Sequence, residues 1–179
     1  YLDDFQKQHK THLLALAPIH IEPIGLYAGK SKDLKNIKNG ATIAIPNDAT
    51  NGGRALLLLQ SAGIIQLKKG TGINATKADI VSNPHNVKLQ ELEAAQIPRS
   101  LKDVDFAVIN SNFALTVNLN PVKDALFIED SKSPYANYLV VLQGDENRPE
   151  IQKLVKALQS PEVKEYIDKN LKGAVVAAF

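Results

Sequence analysis

The sequence predicts an α/β fold, and three observations carry that expectation. Apolar, strand-like runs recur along the chain with helical stretches between several of them. The composition, 44% hydrophobic and 22% charged over 179 residues, is close to the globular average, and the length suffices to bury a real core. Turn and cap signals such as Pro46-Asn47-Asp48 and Ser160-Pro161-Glu162 stand where strands should end and helices begin.

Taken in order, Tyr1 to Phe5 already reads as the inside of a helix, with Leu2, Phe5 and His9 at spacings of three and four and no start methionine before it. The chain is therefore expected to be the later part of a longer protein. Leu13 to Ile21 is a mostly apolar strand-like run. Ser31-Lys32-Asp33-Leu34 is expected to start a short helix with Ser31 as its N-cap. Thr42 to Ile45 is the first buried-type strand; after the turn Pro46-Asn47-Asp48, Thr50 or Asn51 is expected to cap a helix that carries Leu56 to Leu59 and stops near Gly63. Further strand-like segments lie at Val87 to Leu92, Asp105 to Ile109, Leu126 to Ile128 and Tyr138 to Leu142. The tail reads as two helices. Asn147 to Gln159 places Ile151, Leu154, Val155 and Leu158 on one face, and a second helix starts at Ser160 with Pro161 in its first position.

Several function classes are disfavoured. Twenty-one Lys plus Arg against nineteen Asp plus Glu leaves +2, with neither a basic run nor an aromatic-and-basic stripe, which argues against nucleic acid as a partner. The absence of cysteine removes disulfides, thiolate catalysis and Cys-ligated zinc. The longest apolar runs, such as Ala55 to Leu59, fall far short of the ~18 residues of a membrane span, and no signal peptide opens the chain. There is no Gly-x-Ser-x-Gly, Ser-x-x-Lys or His-Glu-x-x-His pattern, so the expectation is a protein that is not an enzyme and needs neither cofactor nor metal.

Four segments carry candidate chemistry. In Ile45 to Arg54 a strand end runs into a glycine-containing helix start with an arginine in its first turn. Helix N-termini expose unpaired N–H groups, Gly52 and Gly53 would let a ligand approach the backbone, and Arg54 can grip a carboxylate in two places. The other reading is that the glycines serve the turn and Arg54 makes a structural ion pair. The spacing is not that of a P-loop, which disfavours a nucleoside triphosphate. Asn110 ends the strand Ala107-Val108-Ile109, at the carboxyl end where α/β ligands gather, or else caps the next helix. Asn137 follows the proline turn Ser133-Pro134, and its amide can both donate and accept. His20 and Glu22, two apart on a strand, share a face and can pair; the other histidines, His9, His12 and His85, read as solvated.

Together these segments resemble the substrate-binding lipoproteins of methionine ABC transporters, the MetQ/NlpA family. The resemblance runs from Tyr1-Leu2-Asp3 through His20 to Tyr27, Pro46 to Leu59, Leu92 to Leu101, Ala107 to Asn110, Glu129-Asp130 and Ser133 to Asn137, and ends at Lys172-Gly173-Ala174-Val175. It implies a two-lobed periplasmic-binding-protein-like fold of type II that closes on its ligand by a hinge, with part of the first lobe missing from this chain. Residues 1–23 and 129–179 would be the remainder of lobe one and 24–128 lobe two, with crossings near 20–25 and 128–138. It also implies Arg54 on the ligand carboxylate and Asn110 and Asn137 on the amino-acid polar groups; Asn51, His20 and Glu22 complete the candidate set. His20 stands where many relatives carry an aromatic ring, and Glu22 where some carry Tyr, so the ligand side chain is left open. The family's lipid-modified cysteine, the first elements of lobe one and an aromatic-Gln-His segment all precede the position of Tyr1, so apolar edges are expected to be exposed. The implied function is extracytoplasmic capture of L-methionine for an ABC permease and ATPase, with a lipid anchor to the membrane. A methionine-containing dipeptide, another amino acid or a surface antigen with the same fold are the alternatives.

Overall fold

The computed structural model describes residues 1–130 and 135–179. Its elements in chain order are α1 (Leu2–His9), β1 (Leu13–Ile21), β2 (Gly25–Ala28), β3 (Thr42–Pro46), α2 (Ala49–Ser61), β4 (Gln66–Leu67), β5 (Ile80–Ser82) and β6 (Lys88–Leu92). There follow α3 (Ile97–Ser100), β7 (Phe106–Ile109), α4 (Ser111–Leu115), α5 (Pro121–Asp124), β8 (Ala125–Ile128), β9 (Ala136–Leu142), α6 (Pro149–Leu158), α7 (Pro161–Tyr166) and β10 (Val176–Ala177). The fold is mixed α/β, as the alternation of runs predicts. Two compact units divide it: Tyr1–Glu22 with Ser131–Phe179, and Pro23–Asp130.

The unit Pro23–Asp130 is built on a five-stranded sheet in the order β6-β3-β7-β2-β8. β3 runs parallel to β6 and β7, whereas β2 is antiparallel to β7 and β8. Side chains alternate across it. Ile43, Ile45, Phe106, Val108 and Leu26 join Leu56 and Leu59 of α2 in one core, while Ala44, Ala107, Ile109 and Tyr27 face the other way with Ile97 and Ala114. Both faces are covered, which is why these strands read as unbroken apolar runs without a polar alternation. β2 is the one strand of this sheet without a counterpart in the sequence reading, which also lacks the short β4, β5 and β10; its residues Gly25 to Tyr27 are buried. Tyr27 is 1% exposed, its hydroxyl has no hydrogen-bond partner among the described residues, and burial, aided by the Asp124 carboxylate, pushes its proton dissociation far above the usual range.

The expected helix at Ser31 does not form. Ser31 Oγ instead donates to Asp105 Oδ1 at 2.9 Å, and the Thr42 N–H donates to Oδ2 of the same carboxylate at 2.9 Å, so Asp105 ties the incoming segment to the start of β3. Asp33, expected in the first helical turn, accepts from the Lys35 N–H at 2.8 Å and from Asn36 Nδ2 at 2.8 Å, a local turn that competes with helix.

In the other unit, β10, β1 and β9 form an antiparallel sheet in the order β10-β1-β9. β1 covers the whole expected run, and His20 lies opposite Asn137 in the register. α6 and α7 form where the tail pattern places them. Ser160 caps α7 by accepting from the Val163 N–H at 3.3 Å, and Pro161 occupies its first turn. Apolar groups are exposed on this unit, among them Tyr138 at 46% and Leu142 at 60% on one face of β9 and Leu154 at 42% on α6. Ser133 and Pro134, read from sequence as a proline turn, lie outside the described residues.

Candidate functional site

One end of the five-stranded sheet gathers three of the six candidates, Arg54, Asn51 and Asn110. β3, β6, β7 and β8 all end there and β2 begins there, because β2 pairs antiparallel with its neighbours: Gly25 lies opposite both Ile109 and Ile128, and Pro46 lies opposite Leu92. Asn47, Asn110, Ile24 and Glu129 therefore emerge on the same side.

α2 is capped by Asp48, not by Thr50 or Asn51. Asp48 has an extended backbone, with φ −76° and ψ 148°, and its Oδ1 accepts from the Asn51 N–H at 2.9 Å; Thr50 and Asn51 are already helical. The helix N-terminus thus carries a carboxylate of its own. Replacing Asp48 by Ala should lower stability by about 1 kcal/mol, read as a shift of the urea midpoint. Of the two readings of the glycines, the structural one has support at Gly53, where a Cβ would lie 2.6 Å from the Ile73 carbonyl oxygen of the turn packed on α2.

Asp48 starts a polar chain. Both of its oxygens accept from Asn51 Nδ2 at 3.1 Å, and Asn51 Oδ1 accepts from Asn110 Nδ2 at 2.8 Å. Asn110 stands at the N-cap position of α4 but makes no side-chain cap bond, since its amide is turned to Asn51. Its Oδ1 is buried and has no partner among the described residues. Such an acceptor is uncommon in a folded chain.

Arg54 is 7% exposed and is held by Glu129. Nε donates to Oε1 at 2.9 Å and to Oε2 at 3.2 Å, and Nη2 also donates to Oε2. The structural ion pair that sequence allows beside the carboxylate-binding role is present. Glu129 further accepts from the Ile24 N–H at 3.3 Å, and its own N–H donates to the Ile24 carbonyl at 3.0 Å, while Ser111 Oγ donates to the Pro23 carbonyl. Sequence reasoning assigned Glu129 no role. No local pattern could have found it, because the end of β8 reaches Arg54 only through the pairing of β2 with β7 and β8.

His20, Glu22 and Asn137 meet in the other unit. His20 Nε2 is 3.0 Å from Glu22 Oε1 and 3.3 Å from Asn137 Nδ2, with His20 and Glu22 side chains about a quarter exposed. The carboxylate contact requires the ring form that carries its proton on Nε2. Of the other histidines, His9 and His12 are exposed and His85 is half-buried; the His9 ring also packs on Phe5, with centroids 4.3 Å apart. No cluster of three metal-ligating side chains occurs among the described residues, and none of their helices is long and apolar enough to cross a membrane.

Residues 1–179 match the model of the NlpA lipoprotein family. The D-methionine-binding lipoprotein MetQ of Salmonella typhimurium is 44% identical over 181 residues, covering 100% of this chain and 67% of the relative. The chain thus spans about two thirds of that protein's length. Among solved structures, a nutrient binding protein from Burkholderia cenocepacia bound to methionine is 52% identical with a TM-score of 0.94, covering 100% of this chain and 76% of the other. An ABC transporter periplasmic substrate-binding protein from Coxiella burnetii is 43% identical with a TM-score of 0.93, covering 99% and 75%. These relatives are binding proteins by name.

Proposed function

Since the chain belongs to the NlpA lipoprotein family, we propose that it is part of a solute-binding protein that captures methionine outside the cytoplasmic membrane and delivers it to an ABC transporter. Arg54 takes the ligand carboxylate, and Asn110 and Asn137 take its remaining polar groups, with Asn51 holding Asn110 and the paired His20 and Glu22 beside Asn137. The observation that carries this reading is Asn110: its Oδ1 is a buried acceptor without a partner among the described residues, while its Nδ2 is fixed by Asn51. A ligand ammonium would satisfy it. The permease and ATPase subunits and a lipid anchor on the full-length protein complete the assembly, and no step in it requires chemistry on the ligand.

Calorimetric titration of the full-length protein tests this. L-methionine, its D-enantiomer and a methionine-containing dipeptide are compared, and saturable binding of free methionine at a ratio of one to one is the expected result. Binding of the dipeptide alone would overturn the free amino acid as ligand. Asn137→Ala should weaken methionine binding at least tenfold, the loss of one hydrogen bond to a charged group, worth about 1.5 to 3 kcal/mol. Unchanged affinity would remove Asn137 from the site.

A further inference from the structure

Glu129 stands directly after β8. Its carboxylate is fixed on two sides, by the Nε and Nη2 of Arg54 and by the Ile24 N–H. With Arg54 7% exposed and the Glu129 side chain 14% exposed, water screens both charges poorly. A cation and an anion held together there sum to zero. The net charge of such a place decides which ligand it accepts, since an uncompensated charge must be stripped of water without return. A bare carboxylate bound at Arg54 leaves Arg54, Glu129 and ligand with a net charge of minus one. An amino acid brings its ammonium and leaves zero. Asp48, another carboxylate at this end of the sheet, is exposed and committed to capping α2, so it does not alter that balance.

We infer that Glu129 is a specificity-determining residue that sets the Arg54 site to accept zwitterionic α-amino acids and to reject monocarboxylate anions with the same side chain. This rests on the reading of Arg54 as the residue that takes the ligand carboxylate. Without Glu129 the site would lose the carboxylate held against Arg54 and become more positive by one charge, a change that favours an anion over a zwitterion. The neutral pair therefore works as a filter on the α-ammonium, and Asn110 Oδ1, which has no partner among the described residues, supplies the acceptor that the ammonium requires.

The test compares L-methionine with its deaminated analogue, which keeps the thioether chain and the carboxylate, by calorimetry on the full-length protein. The intact protein should bind the analogue on the order of 100-fold more weakly. Glu129→Gln should narrow that ratio at least tenfold, with its circular dichroism spectrum and melting temperature confirming the fold, and Glu129→Asp, which keeps the charge, should retain the original ratio. An unchanged ratio in folded Glu129→Gln would overturn the inference while leaving the Arg54 assignment standing. Equal affinity of the intact protein for the two ligands would overturn it with no variant at all. If Arg54→Ala binds methionine as tightly as the intact protein, the underlying assignment falls, and the inference with it.

Discussion

Replacing Arg54 by Ala should weaken methionine binding at least tenfold and, in the same variant, lower the unfolding free energy by about 3 kcal/mol. The two effects have different causes. The binding loss follows from removal of the charged group proposed to hold the ligand carboxylate, and it should appear in a calorimetric titration at a temperature where the variant is fully folded. The stability loss follows from Glu129, whose carboxylate is 14% exposed and would be left facing an empty place where Arg54 donated from Nε and Nη2. Breaking a buried pair by removing one partner costs several times what an exposed pair is worth. Arg54→Lys separates the two effects. It keeps the charge and much of the stability but loses the planar fork, so binding should remain weak. A fully stable Arg54→Ala in urea denaturation would show that the pair contributes nothing to the fold.

Gly29→Ala is expected to be the most damaging single substitution for stability, by about 3 kcal/mol or more, measured as the urea midpoint at constant slope. Gly29 is buried directly after β2, and its N–H donates to the Asp105 carbonyl at 2.9 Å. A Cβ there would lie 2.3 Å from the Val104 carbonyl oxygen, 2.6 Å from that of Leu101 and 3.0 Å from that of Asp105. All three are backbone atoms, so no side chain can rotate away. The segment after β2 would have to part from the turn that leads into β7, next to the Ala28–Phe106 pair. A loss below about 1 kcal/mol would mean that the segment before β7 gives way easily.

The legibility of this molecule differs by element. β1, β3, β6, β7, β8, β9, α6 and α7 were readable because each combines an apolar run or stripe with a terminating signal, as Pro46-Asn47-Asp48 ends β3 and Ser160-Pro161 starts α7. β2 was passed over because Gly25 to Ala28 is only four residues and opens on a glycine; its place between β7 and β8 makes it a strand. The helix expected at Ser31 failed for the converse reason. Ser31 is a good cap in isolation, yet Asp105, seventy-four residues away, binds its hydroxyl more profitably than a helix start would.

Sequence by itself determined the α/β class, the family resemblance, the candidate residues Arg54, Asn110, Asn137, Asn51, His20 and Glu22, and the absence of any enzyme signature, since these rest on residue types and their local order. Only the tertiary structure decided what those residues touch. It joined Asn51 to Asn110 and Arg54 to Glu129, across separations of fifty-nine and seventy-five residues, and it gave the capping of α2 to Asp48. The physical reason is that side-chain partners at such separations are chosen by strand register: antiparallel β2 brings the ends of β7 and β8 to the end of the sheet where β3 feeds into α2, and no local pattern encodes that.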